Sequence, residues 1–409
     1  MKKNAIVGQS GGPTAAINAT LAGVIAGAME SDVIGTLYGA FNGVEGMLAN
    51  TVVDLSAEFS KEGSLDILKQ TPAAALGSCR KKLPKLDDET GREVYEKLFS
   101  FFEAYDIGYF FYIGGNDSMD TVAKLSAYAR VNGKSGVHFV GVPKTIDNDL
   151  AGTSHTPGFG SAAKYIATTM QEILRDTAVY TVKAVTIVEI MGRDAGWLMA
   201  SSALCRVVSD TAPDLVYLPE VAFDLDQFFA DIAACFAKKP NIVVAVSEGI
   251  RFADGRYVGE GTQSGVVDAF GHKYLQGTGK ALELAVKAHF GCKVRSVELN
   301  LPQRCAAHSL SMTDINESFG VGKAATQFAK TESGIMAAYV RKDQPYSVSY
   351  EPMDVLKIAN EIRSVPRGFI NEAGNNVTDE CLSYLLPLID GEYPTVYRGG
   401  IPLHYTIKR

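Results

Sequence analysis

The sequence predicts an α/β protein made of two Rossmann-like three-layer lobes with mainly parallel sheets. Two observations carry that prediction. Apolar runs of strand length alternate with helical patterns almost throughout the 409 residues. The residues with chemical character gather where a strand run gives way to a helix. Such alternation reads as βαβ units with helices on both faces of a sheet. Crossovers are expected to be right-handed, and ligands are expected at the carboxyl ends of the strands.

In chain order, the first strand is read at 4–8, followed by an Ala-rich helix over 14–29 and a second strand at 32–38. A helix over 92–104 leads into strand 107–113, then helix 118–131 and strand 137–142. Helix 160–176 leads to strand 183–190, followed by helices 195–205 and 225–238 and strand 241–247. Helix 273–290, strands 294–299 and 334–340, and helix 354–363 complete the pattern. No linker rich in Pro, Gly or Ser separates the lobes, and no fixed-period repeat is visible. The division is placed at 1–155 and 156–304, with 305–409 returning to complete both lobes and to add a C-terminal extension. The chain is expected to cross between the lobes more than once.

Composition narrows the function classes. The chain is 46% hydrophobic and 21% charged, as in a globular protein able to bury a sizeable core. A net charge of −7 argues against bulk nucleic-acid or anionic-membrane binding. It leaves phosphate ligands open, because backbone N–H groups and a few cations capture those locally. Six cysteines lie scattered without C-x-x-C spacing, so isolated thiols of a reducing cytoplasm are expected. The N-terminus passes straight into a strand pattern, so no signal peptide is expected. No apolar stretch approaches a bilayer span.

Two segments carry the densest chemistry: Ile113-Gly114-Gly115-Asn116-Asp117-Ser118 and Pro143-Lys144-Thr145-Ile146-Asp147-Asn148-Asp149. Each follows a run read as a buried strand. The glycines let backbone wrap phosphate oxygens, and Ser118 is a candidate helix cap. Asp117 would either help hold Mg²⁺ or fill the space a larger nucleotide needs. In an extended stretch Asp147 and Asp149 project to the same side, so one can take a proton from an attacking hydroxyl. Lys144 offers an ammonium to a transferring phosphoryl group. The plainer alternatives are a helix N-cap for the first segment and a polar Asx turn for the second.

Further strand ends carry weaker signals. Gly11 and Gly12 follow the first strand and precede a helix, which suits an anion or merely a turn. Arg80 sits in the basic cluster Arg80-Lys81-Lys82, a clamp for a polyanion or a solvated charge run. Met191-Gly192-Arg193 follows strand 183–190 and Glu248 follows strand 241–247. Arg295 and Arg304 flank strand 294–299. Arginine forms two-pronged contacts with phosphate, yet a lone surface arginine is usually in an ion pair of little consequence. The six histidines show no ligand spacing. Trp197 and the aromatics at 101–112 are expected in the core.

Taken together, Ser10-Gly11-Gly12, Gly114 to Asp117, Pro143 to Asp149, Met191-Gly192-Arg193, Glu248 and Arg304 occur in an order and spacing that resembles the 6-phosphofructokinase family. The motifs span about residues 4–305, and Pro366 to Thr378 resembles the C-terminal part of longer bacterial members. The resemblance implies the phosphofructokinase fold, with the active site in the cleft between the lobes. It implies that 1–155 binds the donor and Mg²⁺ and that 156–304 binds fructose 6-phosphate. Asp147 would be the general base on the 1-hydroxyl. Thr145, Ile146, Asp147, Met191, Gly192, Arg193, Glu248 and Arg304 would contact the sugar phosphate. Arg295 would reach it from a neighbouring subunit, which implies a homodimer or homotetramer. Gly11, Gly12, Arg80, Gly115, Asn116 and Asp117 would face the donor, with Asn116 and Asp117 toward the metal.

The resemblance also bears on the donor. Members that use ATP commonly have glycine at positions 117 and 144, whereas members that use diphosphate have aspartate and lysine, as here. A carboxylate at 117 would clash with an α-phosphate, and Lys144 would assist a small donor. The chain therefore resembles the diphosphate-dependent branch, with reversible transfer to fructose 6-phosphate in the cytoplasm. It departs from the family pattern at three positions. Asn116 replaces the usual metal-binding aspartate, Ala184 a usual arginine, and Leu301 a usual histidine or tyrosine. The last two leave room for related sugars such as sedoheptulose 7-phosphate.

Overall fold

The computed structural model describes residues 2–209, 211–260 and 277–408. In chain order the elements are β1 (Lys3–Gln9), α1 (Ile17–Met29), β2 (Ile34–Ala40), α2 (Val44–Leu48), β3 (Val52–Asp54), α3 (Leu55–Glu58), α4 (Ser64–Gln70), α5 (Arg92–Ala104), β4 (Ile107–Gly114), α6 (Asn116–Val131) and β5 (His138–Pro143). There follow α7 (Phe159–Ala178), β6 (Ala184–Ile190), α8 (Trp197–Ser201), α9 (Cys205–Val208), β7 (Leu215–Tyr217), α10 (Leu225–Phe236), β8 (Asn241–Ser247), α11 (Thr278–Phe290) and β9 (Lys293–Glu298). The last are α12 (Met312–Phe328), β10 (Ile335–Asp343), β11 (Tyr346–Asp354), α13 (Asp379–Leu385) and the two-residue strands β12 (Tyr397–Arg398) and β13 (Ile401–Pro402), which pair only with each other.

The strands form a seven-stranded sheet, ordered β11-β10-β5-β4-β1-β2-β3, and a four-stranded sheet, ordered β7-β8-β6-β9. All pairings within these two sheets are parallel except β2 with β3 and β10 with β11. Alternation along β4 explains the layers. Phe111 and Ile113 face the core beneath α1 and α12, whereas Phe110 and Tyr112 face the core beneath α5 and α6. In β6, Val188 and Ile190 pack with α7, α8 and α13, while Val185 and Ile187 pack with α10 and α11. Helices thus cover both faces of each sheet, which is why the strands read as continuous apolar runs.

Every expected strand is present within two residues of its expected ends except β10, which runs three residues further. The expected helix over 354–363 is not. Asp354 ends β11, its side chain accepts from the Leu356 N–H (3.0 Å), and only a short 3₁₀ turn follows at Val355–Lys357. Asn360 then adopts φ +68°, and Ile362 pairs with Leu150 as an isolated bridge. An apolar periodicity here reports a strap lying across the core edge rather than a helix. The helix expected from Thr14 begins at Ile17, because Thr14 Oγ1 accepts from the Ile17 N–H (2.9 Å). The helix expected over 195–205 is divided into α8, a 3₁₀ turn at Ser202–Leu204, and α9. Residues 273–276 of the helix expected over 273–290 lie outside the described residues.

Helix α12 was not anticipated. Its glycines weaken the helical signal, yet Gly322 permits a close crossing with α1. A Cβ on Gly322 would lie 2.1 Å from the Thr20 carbonyl oxygen, and one on Gly23 would lie 2.0 Å from that of Phe319. Only bare backbone lets α1 and α12 approach this closely. Asp314, near the start of α12, accepts from the Gly158 and Ser161 N–H groups (both 2.9 Å) and so anchors the first turn of α7.

Candidate active site

The carboxyl ends of β1, β4, β5, β6 and β8, and the turn after β9, open onto one cleft of about 600 Å³. It is lined by Gly11, Gly12, Arg80, Gly115, Asn116, Asp117, Lys144, Thr145, Ile146, Asp147, Met191, Arg193, Glu248 and Arg304. The cleft thus brings together nearly all the residues singled out by sequence. Two stand apart. Gly192 lies just behind, where its N–H approaches Glu248 Oε1 (3.4 Å). Arg295 lies elsewhere, on β9, beside Asp176 (3.7 Å) and half-exposed. Within its own chain it does not reach the cleft.

The floor is built around Lys144. Its backbone N–H donates to the Gly114 carbonyl (3.0 Å), which carries β5 past β4. Its side chain is buried, and Nζ donates to the Gly12 carbonyl (2.6 Å). Gly11 holds φ +76°, and a Cβ there would lie 3.2 Å from that ammonium. The glycine turn therefore serves close approach as well as chain reversal. Burial pushes the Lys144 ammonium down to about 8; Asp147 opposes the shift, and Arg304 and Arg80 add to it.

Asp147 and Asp149 both face the cleft, but not by strand alternation. Asn148 between them is fully buried in a left-handed conformation, φ +55°, so the segment is a tight turn. Asparagine tolerates that conformation better than most residues. The Asp147 N–H donates to Thr145 Oγ1 (3.1 Å). Burial raises the Asp147 carboxyl above its ordinary range, against the pull of Lys144 and Arg193. Asp149 is raised to about 7, first by burial and then by the Asp147 charge. Glu248 is raised to about 8 for the same two reasons, with Arg193 opposing. The three acids therefore resist ionising together.

At the carboxyl end of β4, α6 begins at Asn116, and Gly115 occupies the cap position. Ser118 is buried inside the first turn and does not cap it, contrary to the sequence expectation. The glycine backbone already supplies the turn, so no side-chain cap is needed. Asp117 pairs with Lys82 (3.0 Å), a residue that sequence reading left within a charge run. Asn116 Oδ1 is buried and has no hydrogen-bond partner. Among the described residues no group of three or more His, Cys, Asp or Glu side chains is arranged to hold a metal.

Asn300, Asn360 and Ile362 also line the cleft and were not read from sequence. Asn300 and Asn360 both have positive φ, and an asparagine in a loop is the one signal that pointed to them. Gln303, buried, accepts from the Met191 N–H (3.1 Å) and joins the turn after β9 to the turn after β6.

Comparison with known proteins identifies the family. The family model described as phosphofructokinase matches residues 4–328. Pyrophosphate--fructose 6-phosphate 1-phosphotransferase of Halomonas elongata is 40% identical over 98% of this chain and 94% of its own length. The enzyme of the same name from Xanthomonas campestris pv. campestris is 40% identical over 99% of this chain and 96% of its own. The crystal structure of pyrophosphate-dependent phosphofructokinase from Nitrosospira multiformis matches with a TM-score of 0.87 at 35% identity, covering 98% of this chain and 96% of that one. With its strand-end cleft and a family match over most of its length, the chain belongs to the phosphofructokinase family.

Proposed function

We propose that the protein transfers a phosphoryl group from diphosphate to O1 of fructose 6-phosphate, giving fructose 1,6-bisphosphate and phosphate, reversibly. The observation that carries this reading is the opposition of Lys144 and Asp147 across one floor, with Asp117 at the donor end. Asp147 is the general base: it takes the O1 proton as that oxygen forms a bond to phosphorus. The bond from that phosphorus to the bridging oxygen breaks, and phosphate leaves. A base held above the ordinary carboxylate range is better matched to neutral pH than a free aspartate. Lys144 stabilises the moving phosphoryl group and the leaving phosphate. Gly11, Gly12, Arg80, Gly115 and Asn116 bind the donor. Thr145, Ile146, Met191, Gly192, Arg193, Glu248 and Arg304 hold the sugar phosphate, and Arg295 acts in a neighbouring subunit's cleft within a homodimer or homotetramer.

Five cations (Arg80, Lys82, Lys144, Arg193, Arg304) face five carboxyls (Asp117, Asp147, Asp149, Asp194, Glu248) around the cleft. Whichever of these carboxyls are ionised offset part of the positive charge offered to two polyanions, which favours entry of a divalent cation with the donor. Asn116 Oδ1 and the Asp117 carboxylate offer oxygen donors of the kind Mg²⁺ takes, and Mg²⁺ is usually held by one or two carboxylates together with substrate phosphates. Bound there, Mg²⁺ would neutralise charge on the diphosphate oxygens. The reading includes the division into a donor lobe at 1–155, a sugar-phosphate lobe at 156–304 and a returning segment at 305–409, and a cytoplasmic setting. Among the described residues no helix is long and apolar enough to cross a membrane.

Phosphorus NMR of the purified protein with Mg²⁺, diphosphate and fructose 6-phosphate tests this directly. The diphosphate signal should give way to orthophosphate and a sugar 1-phosphate in equal amounts, and the Asp147→Asn variant should produce neither. Unchanged diphosphate with the wild-type protein would refute the reading.

A further inference from the structure

We propose that Arg363 is a positioning residue that, together with Tyr384, locks the turn carrying Asp147 onto the turn carrying Arg193. Residues 360–365 form a strap that crosses both turns, with Asn360 and Ile362 lining the cleft. The Arg363 N–H donates to the Asp149 carbonyl (2.8 Å), and Ile362 pairs with Leu150. Arg363 Nη1 donates to the Asn148 carbonyl (3.2 Å), the residue held at φ +55°. Nη2 donates to the Tyr384 hydroxyl (2.9 Å). That hydroxyl also accepts from Asn148 Nδ2 (3.2 Å) and donates to the Ser154 carbonyl (2.7 Å). Its one donor and two acceptor positions are all used.

The same strap grips the second turn. The Arg363 guanidinium lies over the Trp197 ring, 4.3 Å from its centre, and Trp197 Nε1 donates to the Arg363 carbonyl (2.9 Å). Half-buried Glu220 accepts through Oε1 from both the Gly196 and Val365 N–H groups (2.8 Å each). One guanidinium thus touches the strained link beside the base and the first residue of α8, three residues past Asp194. Two turns rooted in different sheets, after β5 and after β6, are held in one register. Arg363 and Tyr384 do not line the cleft, so they act through these contacts rather than on substrate. The left-handed Asn148 is strained enough to need such support.

The inference rests on the phosphoryl-transfer reading, and the test separates the two. In the full-length protein, Arg363→Met should lower kcat on the order of 10²-fold, the scale of a misplacement of about 1 Å, while KM for each substrate moves less than about threefold. Added guanidinium should restore part of the lost kcat in Arg363→Met and none in Asp147→Asn. Tyr384→Phe, which removes one hydroxyl and leaves the ring, should lower kcat several-fold in the same pattern. Trp197, the single tryptophan, should change its emission in Arg363→Met while the rest of the protein stays folded by circular dichroism. If the wild-type protein turns over and both variants keep kcat, or lose only thermal stability without guanidinium rescue, the positioning role is wrong. If the wild-type protein does not turn over, the function reading fails first.

Discussion

Lys144 and Asp147 lie in one buried field, and each is moved toward neutrality from its ordinary value. Burial drives both shifts, and each charge restrains the other's. The consequence is a pH window. On the proposed reading the base works only when Asp147 has lost its proton, so activity should fall as pH drops through a carboxyl value raised above the usual range. The ammonium of Lys144 is lost as pH rises through about 8. A profile of kcat/KM, which reports the free enzyme, should therefore bend down on both sides. Lys144→Met should lose the alkaline limb and keep the acid one, with kcat/KM for diphosphate lower by about 10²-fold or more, as for removal of one pre-organised transition-state donor. An alkaline limb unchanged in that variant would place its origin elsewhere.

At the scale of elements, the α1–α12 crossing and the turn after β5 show what a sequence reveals and what it hides. Ala-rich α1 was legible because its apolar pattern is continuous. Helix α12 was not, because Gly322 serves a close approach to α1 and Gly320 one to Tyr350, both visible only once the neighbours are in place. Gly23→Ala would set a methyl 2.0 Å from the Phe319 carbonyl oxygen, which neither backbone can relieve without shifting. Overpacking of this kind should cost about 1–3 kcal/mol or more, read as a lower midpoint in urea with catalysis intact in the folded fraction. An unaltered midpoint would show that the helices part easily. The turn from Thr145 to Asp149 was legible in its chemistry and not in its shape. Asp147 and Asp149 were expected to share a side through strand alternation, and they share it through a left-handed Asn148. Lys82 and the strap at 360–365 were missed for a related reason. A charge run and a short apolar stretch acquire meaning from what lies opposite them in space, here Asp117 and the Asn148 carbonyl.

For the whole molecule, a net charge of −7 coexists with a cleft that gathers five basic side chains opposite five carboxyls. On the proposed reading, attraction of phosphorylated substrates is local, supplied by Arg80, Lys144, Arg193, Arg304 and backbone N–H groups at strand ends. The two sheets present those ends to a common space, which is why residues more than two hundred positions apart in the chain meet there. On the proposed reading, donor choice rests on two residues of this cleft: the Asp117 carboxylate opposes an α-phosphate, and Lys144 assists the small donor. Initial rates of the wild-type protein with fructose 6-phosphate and either Mg-diphosphate or Mg-ATP test this most directly. The account predicts steady turnover with diphosphate and essentially none with ATP; robust turnover with ATP and none with diphosphate would contradict it.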